Sequence, residues 1–317
     1  MPARYVVRGA VFLALLLIPA QFGDFAKVLL TEILVWAIFA MAFDLMYGYT
    51  GMLSFTQATF FGIGSYGLTL SILHWNVGLL PAIALGVLVA TAAACPIGYL
   101  AVRVSGVHFA ILTIIFALVI FYLGLNWRWL TGGDDGLSLK VPALHLGPVT
   151  LSLYDPVTNY YVILFFFCVC YILIRRITES PLGKIFVSIR ENEDRARLIG
   201  YNVERYKLVV FIIAAVFSGL AGGLYSVTTR FANVRLLHWT VSSDAIVWTI
   251  VGGAGTINGP ILGVALLISL TDYVSSWFEN HRIITGLVVV IFVLAAPKGI
   301  MGAARRHLEG RRLFAGK

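Results

Sequence analysis

Residues 189–225 read IRENEDRARLIGYNVERYKLVVFIIAAVFSGLAGGLY. The first half is dense in charge. From Leu208 to Thr229 there is no Asp, Glu, Lys, Arg or His. Crossing the hydrocarbon core of a bilayer takes about 20 mainly apolar residues. The run 208–229 meets that length, so the charged stretch before it belongs at a membrane surface.

The rest of the chain has the same character. Of its 317 residues 60% are hydrophobic and 12% charged, and its mean hydropathy is +0.91. A soluble domain carries about 25% charged residues, and half that cannot cover a water-facing surface of this size. A cytosolic enzyme, a nucleic-acid-binding domain and a disordered regulator are thereby excluded. Apolar runs fall near 9–23, 27–47, 54–73, 77–102, 107–127, 157–174, 208–229, 243–257, 259–277 and 283–297. They predict an all-α polytopic membrane protein of about ten helices, several of them short or broken by Gly and Pro. No long linker divides the chain, so residues 1–317 form one transmembrane domain. Arg4 and Arg8 before the run Gly9 to Ala20 have the pattern of a signal peptide. No small-residue cleavage site follows, and this run is read as a retained first span.

The net charge of +8 has a membrane explanation, because Lys and Arg gather in cytoplasmic loops and set orientation. With ten spans and the N-terminus inside, the cytoplasmic pieces hold 17 of the 23 Lys and Arg. If 243–257 re-enters instead of crossing, the split becomes 12 against 11. The positive-inside rule favours the crossing. The polar stretch Arg128 to Asp155, rich in Gly and Asp, is then a structured outer loop.

Residues 175–207 form the inner polar segment. Ser180 and Pro181 signal the start of a helix running to about Arg190. Asn192 caps a second helix with Glu193 and Asp194 in its first turn and Arg195 and Arg197 later, which suits the helix dipole. Gly200 stops it after about two turns, or roughly 10 Å. Ala196 and Ile199, three apart, share a face. Two readings fit: a solvated charged loop, or a stiff knob that a cytoplasmic partner grips.

The quoted run 189–225 resembles the permease subunits of branched-chain amino-acid ABC importers, of the LivM type. The resemblance extends through Gly48-Tyr49-Thr50-Gly51-Met52-Leu53-Ser54-Phe55, Phe60-Phe61-Gly62-Ile63-Gly64-Ser65-Tyr66 and Phe109-Ala110-Ile111-Leu112-Thr113. It continues in Leu130-Thr131-Gly132-Gly133-Asp134-Asp135-Gly136-Leu137 and Gly252-Gly253-Ala254-Gly255-Thr256-Ile257-Asn258-Gly259-Pro260. His108 departs from the pattern, since relatives usually carry tyrosine there, and some relatives have a longer leading segment. The resemblance implies a multi-pass permease in a bacterial inner membrane, paired with a homologous permease, two ATP-binding subunits and a periplasmic substrate-binding protein. It also implies that the segment around Glu191, Glu193, Asp194, Ala196, Arg197, Ile199 and Gly200 couples to the ATPase. The same machinery carrying urea, short amides or another carboxylated solute is the nearest alternative, and a secondary transporter or channel the alternative from another class.

The remaining motifs give no enzyme. Gly252, Gly253, Gly255 and Gly259 lack the Gly-Lys-Ser/Thr of a phosphate loop and read as close helix packing or a helix break. ATP therefore belongs to partner subunits, and no cofactor is expected on this chain. Six histidines show no ligand spacing, so no metal site is expected, and Cys95, Cys168 and Cys170 sit in apolar runs as packing residues. Glu32, Asp44 and Asp272 lie in apolar runs but near their ends, without the spacing of a proton relay. The polar break 48–59 offers Thr50, Ser54 and Gln57, with Thr113 beside them in the chain's motifs, as neutral contacts for a zwitterion passing through. Helix packing is an equal reading of the same residues.

The charge split makes a topological prediction. A membrane-impermeant thiol reagent applied to intact cells should label Ser138→Cys and leave Gly316→Cys unlabelled until the membrane is opened. Labelling of both in intact cells would overturn the ten-span arrangement.

Overall fold

A computed structural model describes residues 23–146, 149–277, 281–295 and 299–302. The expected first span, 9–23, lies outside these residues except for its last position, as does the basic tail beyond residue 302. In chain order the helices are α1 (Asp24–Thr50), α2 (Gln57–Trp75), α3 (Leu79–Ala101), α4 (Val107–Asn126) and the single turn α5 (Arg128–Thr131). After a loop come α6 (Pro156–Glu179), α7 (Pro181–Glu191), α8 (Glu193–Leu198), α9 (Val203–Thr229), α10 (Trp239–Gly252), α11 (Asn258–Ser275) and α12 (His281–Ala295). Five of them, α1, α3, α4, α6 and α9, are long and apolar enough to cross a bilayer alone.

Contacts between helix ends sort the bundle into two faces. Arg190 on α7 reaches Gly48 near the end of α1. The end of α1, the α3–α4 connection, Glu193 of α8 and Lys207 of α9 all line one cavity. This is the basic face. At the opposite face, strand β1 (Leu137–Ser138), after α4, pairs antiparallel with β4 (Phe231–Ala232), after α9. Tyr66 on α2 donates to the Thr131 carbonyl there. A second small hairpin, β2 (Leu144–Leu146) with β3 (Val149–Leu151), decorates the same loop. The loop is thus structured, as its Gly and Asp content predicts, and it carries three of the four strands among the described residues. Asp155 starts α6 by accepting from the Thr158 hydroxyl and amide, and those bonds hold its carboxyl below the usual range.

Two spans depart from their expected boundaries. The run expected at 54–73 begins its helix at Gln57, well inside the bundle. The Gln57 side chain accepts from Ser218, near the middle of α9. Phe61 meets Gly222, and Ser65 bonds Ser226. The offset is 161 residues throughout, so α2 and α9 run parallel and in register. A side chain at Gly222 would collide with the Phe61 carbonyl, and one at Gly64 with the Gly219 carbonyl. Small residues let two backbones touch where lipid offers no hydrophobic drive for association.

The second departure is the run expected at 243–257, whose helix spans Trp239–Gly252, 14 residues. At 1.5 Å per residue that is about 21 Å, short of the roughly 30 Å of hydrocarbon. It nonetheless ends at the basic face, where Gly255 meets Asp44 and Arg190. The deficit is met by the 3₁₀ turn Val234–Leu237, which sinks into the bundle against Gly62 and Gly124. From there α11 leads away, and after α12 Gly299 lies on Gly253, back at the basic face.

Burial separates the helices. In its most apolar window α1 is 78% buried, and α4 only 22%, so α1 is the axis of the bundle and α4 its outer wall. Aromatic rings fill the space around α1: Trp36 stacks on Phe61 with centroids 4.9 Å apart and meets Trp248 at 5.3 Å.

The α10–α11 turn is the tightest packing in this half. A side chain on Gly252 would strike the Gly259 carbonyl, and one on Gly263 the Trp248 carbonyl. Overpacking a fitted core costs about 1–3 kcal/mol. Gly252→Leu should therefore lower the thermal unfolding midpoint of the purified protein, whereas Gly286→Leu, exposed on α12 with no described atom within 4 Å of the added carbon, should not lower it.

Candidate functional site

The charged segment folds as its capping residues dictate. Asn192 accepts from the Arg195 amide, and Asn202 caps α9 the same way through Arg205. Gly200 takes φ +100°, a conformation open to glycine, and ends the short helix. Ser180 is the N-cap residue of α7 and Pro181 its first helical residue, as predicted, although the Ser180 hydroxyl donates back to the Ile177 carbonyl and makes no side-chain bond into α7.

Two expected contacts turn inward. Ala196 is 2% exposed and packs on Ile189 and Val203, so it does not share an outward face with Ile199. Glu193 and Arg197 pair with each other at 2.9 Å, and Glu193 also holds Lys207 at 2.6 Å. Both Glu193 oxygens are thus occupied within the chain, although the resemblance places Glu193 in the segment that couples to the ATPase. What α8 and its cap present outward is Leu198, 88% exposed, and Ile199, 69% exposed. Glu191 and Asp194 flank them, exposed.

Lys207 is 4% exposed, and the Glu193 carboxylate is what makes that burial tolerable. The pair ties α8 to the first turns of α9. Beside it lies the cavity of about 350 Å³ walled by Thr50, Leu53, Val104, Val107 and Phe109.

The translocation candidates divide. Thr50 lines this cavity, and its hydroxyl bonds back to the Met46 carbonyl. Ser54, Gln57 and Thr113 are fully buried and hydrogen-bonded inside the protein. The Phe55 amide donates to Thr113 at 3.1 Å, Ser54 bonds Thr56 at 2.9 Å, and Gln57 joins Ser218. These bonds hold the non-helical connection between α1 and α2. In this arrangement all three residues are engaged in bonds within the protein.

Sequence reasoning missed Ser242. Its hydroxyl accepts from the Ala58 amide and donates to the Phe55 carbonyl, both at 2.8 Å. A serine at the edge of an apolar run, here followed by Ser243, gives no local sign of a partner 184 residues away. It also missed the linkage of Asp44 and Arg190. Asp44 is 1% exposed, and its Oδ1 accepts from the Gly255 amide at 2.8 Å. Arg190 donates to the Gly48 carbonyl, one turn along α1. The glycines at 252, 253, 255 and 259 form the turn that these residues grip, and Gly253 and Gly255 have φ of +117° and +74°. Glu32 accepts from Trp36 within α1. Among the described residues no three His, Cys, Asp or Glu side chains cluster as metal ligands do.

A family model described as branched-chain amino acid transport system, permease component, matches residues 26–295. The chain belongs to that family. It is the multi-pass permease subunit of an ABC importer, seated in the inner membrane. It is 26% identical over 300 residues to the high-affinity branched-chain amino acid transport permease LivM of Salmonella typhimurium, covering 88% of this chain and 70% of that one. Against LivM of Escherichia coli K12 the identity is 25% over the same shares. The LivH permease of Escherichia coli K12 is 23% identical over 84% of this chain and 91% of its own length. Nothing in these likenesses favours a secondary transporter or channel.

The buried pair predicts a stability effect. Removing one partner of a buried ion pair costs about 3–5 kcal/mol, and the 27% exposure of Glu193 places the loss at or below the low end of that range. Glu193→Ala should lower the unfolding midpoint clearly. The double variant Glu193→Ala, Lys207→Met should recover part of the loss, because no unpaired ammonium is left buried.

Proposed function

We propose that this permease carries branched-chain amino acids inward as half of a permease pair, driven by two separate ATP-binding subunits and supplied by a soluble binding protein outside. The chain has no phosphate-binding loop of its own, so ATP is hydrolysed by the partners. The observation that supports the reading is α8: a helix fixed at both ends, held to α9 by a largely buried ion pair, and bearing Leu198 and Ile199 exposed. Two large apolar side chains held outward on a rigid mount at the basic face are what a cytoplasmic subunit can grip. When the ATPase subunits close and part, α8 moves with them, and Glu193 and Lys207 pass that movement to α9. The affinity for one amino acid over another is set largely by the binding protein.

Because Ala196 is inside and Leu198 and Ile199 are outside, docking is tested by Leu198→Glu with Ile199→Glu. Residues at the centre of an interface carry 2 kcal/mol or more, so the double variant should lose ATPase co-purification at least tenfold while the partner permease stays bound. Full ATPase recovery with normal leucine uptake would reduce α8 to a solvated loop.

A further inference from the structure

Arg190 occupies the last turn of α7, two residues before the cap of α8, and its backbone lies on the basic face. Its guanidinium reaches inward across the end of α1 to the Gly48 carbonyl. The same nitrogen lies 2.8 Å from where a side-chain carbon on Gly255 would sit, and the aliphatic stem lies 3.3 Å from the corresponding position on Gly51. One side chain therefore touches both α1 and the α10–α11 turn.

Behind that contact is Asp44. Its Oδ1 is satisfied by the Gly255 amide, but Oδ2 is buried without a hydrogen-bond partner. A buried carboxylate oxygen left unbonded is costly. The nearest cation that could relieve it is Arg190, whose fork of five N–H donors matches a carboxylate. Only glycine backbone separates the two groups. A side chain at Gly48 would collide with both the Asp44 carboxylate and the Gly255 amide. Two glycines thus permit a close approach that any side chain would block.

We propose that Arg190 is the positioning residue that transmits movement of α8 into the membrane, by exchanging the Gly48 carbonyl for the free oxygen of Asp44. In the arrangement described here the guanidinium holds the end of α1. When α7 and α8 shift together, it slides past Gly48 and pairs with Asp44, carrying the α10–α11 turn, which Asp44 holds through Gly255. The unbonded oxygen is the vacant partner of the second position. This inference rests on the reading of α8 as the ATPase docking element.

The test uses the whole transporter, with partner permease, ATPase subunits and binding protein, reconstituted in liposomes, with leucine as the transported probe. The readout is leucine taken up per ATP hydrolysed. A variant that only destabilises the complex lowers uptake and hydrolysis together and leaves this ratio unchanged. Arg190→Gln and Asp44→Asn should each keep the ATPase subunits bound and lower the ratio at least tenfold. Arg190→Lys should restore part of it, and Arg190→Gln with Asp44→Asn should be no worse than the more affected single variant. A wild-type ratio in Arg190→Gln, or losses that multiply in the double variant, would overturn the exchange. If Asp44→Asn does not assemble, the Arg190→Gln and Arg190→Lys pair decides alone. Loss of the ATPase subunits from Arg190→Gln would also overturn it, since the residue would then support docking only. Retention of those subunits by Leu198→Glu, Ile199→Glu removes the docking reading instead, and the ratio in Arg190→Gln still decides the exchange.

Discussion

A helix that begins in the middle of a membrane bundle leaves backbone amides and carbonyls where no water can reach them. In hydrocarbon each such group costs several kcal/mol unless it finds a partner. Between α1 and α2 the partners are side chains. Thr113 takes the Phe55 amide, and Ser242 takes the Ala58 amide and gives to the Phe55 carbonyl. Those hydroxyls come from α4 and α10, so the connection can exist only when four helices are already in place around it. The parallel contact of α2 with α9 depends on the same point, because it fixes where α2 starts.

The class of fold was legible from composition and from the lengths of the apolar runs, since lipid restricts a spanning chain to very few structures. The short helix α8 was legible as well, because Asn192 and Gly200 are local signals with local causes. What was not legible is long-range. Ala196 looked free in a helical wheel, yet Ile189 and Val203 close over it once α7 and α9 fold back on α8. Glu193 looked available to a partner, yet Lys207, fourteen residues on, takes one of its oxygens. The start of α2 was misplaced because hydropathy cannot see a non-helical stretch whose backbone is satisfied by distant serines and threonines.

The polar residues of the break illustrate the same limit. Ser54, Gln57 and Thr113 have the chemistry of a passage for a small zwitterion, and in the described arrangement they spend that chemistry inside the protein: Thr113 on the Phe55 amide, Ser54 on Thr56, and Gln57 on Ser218. Thr50 opens onto the cavity beside Glu193 and Lys207. Neutral hydroxyls and amides serve either purpose, and which one they serve is decided by neighbours from other helices. The glycines are less ambiguous. At 252, 253, 255 and 259 they permit contact distances and backbone angles that no side chain allows, and that is visible once the turn is closed.

The strand pair β1–β4 has a mechanical consequence. It ties the far end of α4 to the far end of α9, while the near end of α9 carries Lys207, paired with Glu193 of α8. At 1.5 Å per residue, the 27 residues of α9 make a rod of about 40 Å. A rod pinned at one end and pushed at the other does not translate; it tilts. Displacement is then greatest beside the cavity at the basic face and fades toward the strand pair, so the inner mouth of the bundle can change its width while the outer loop keeps its shape.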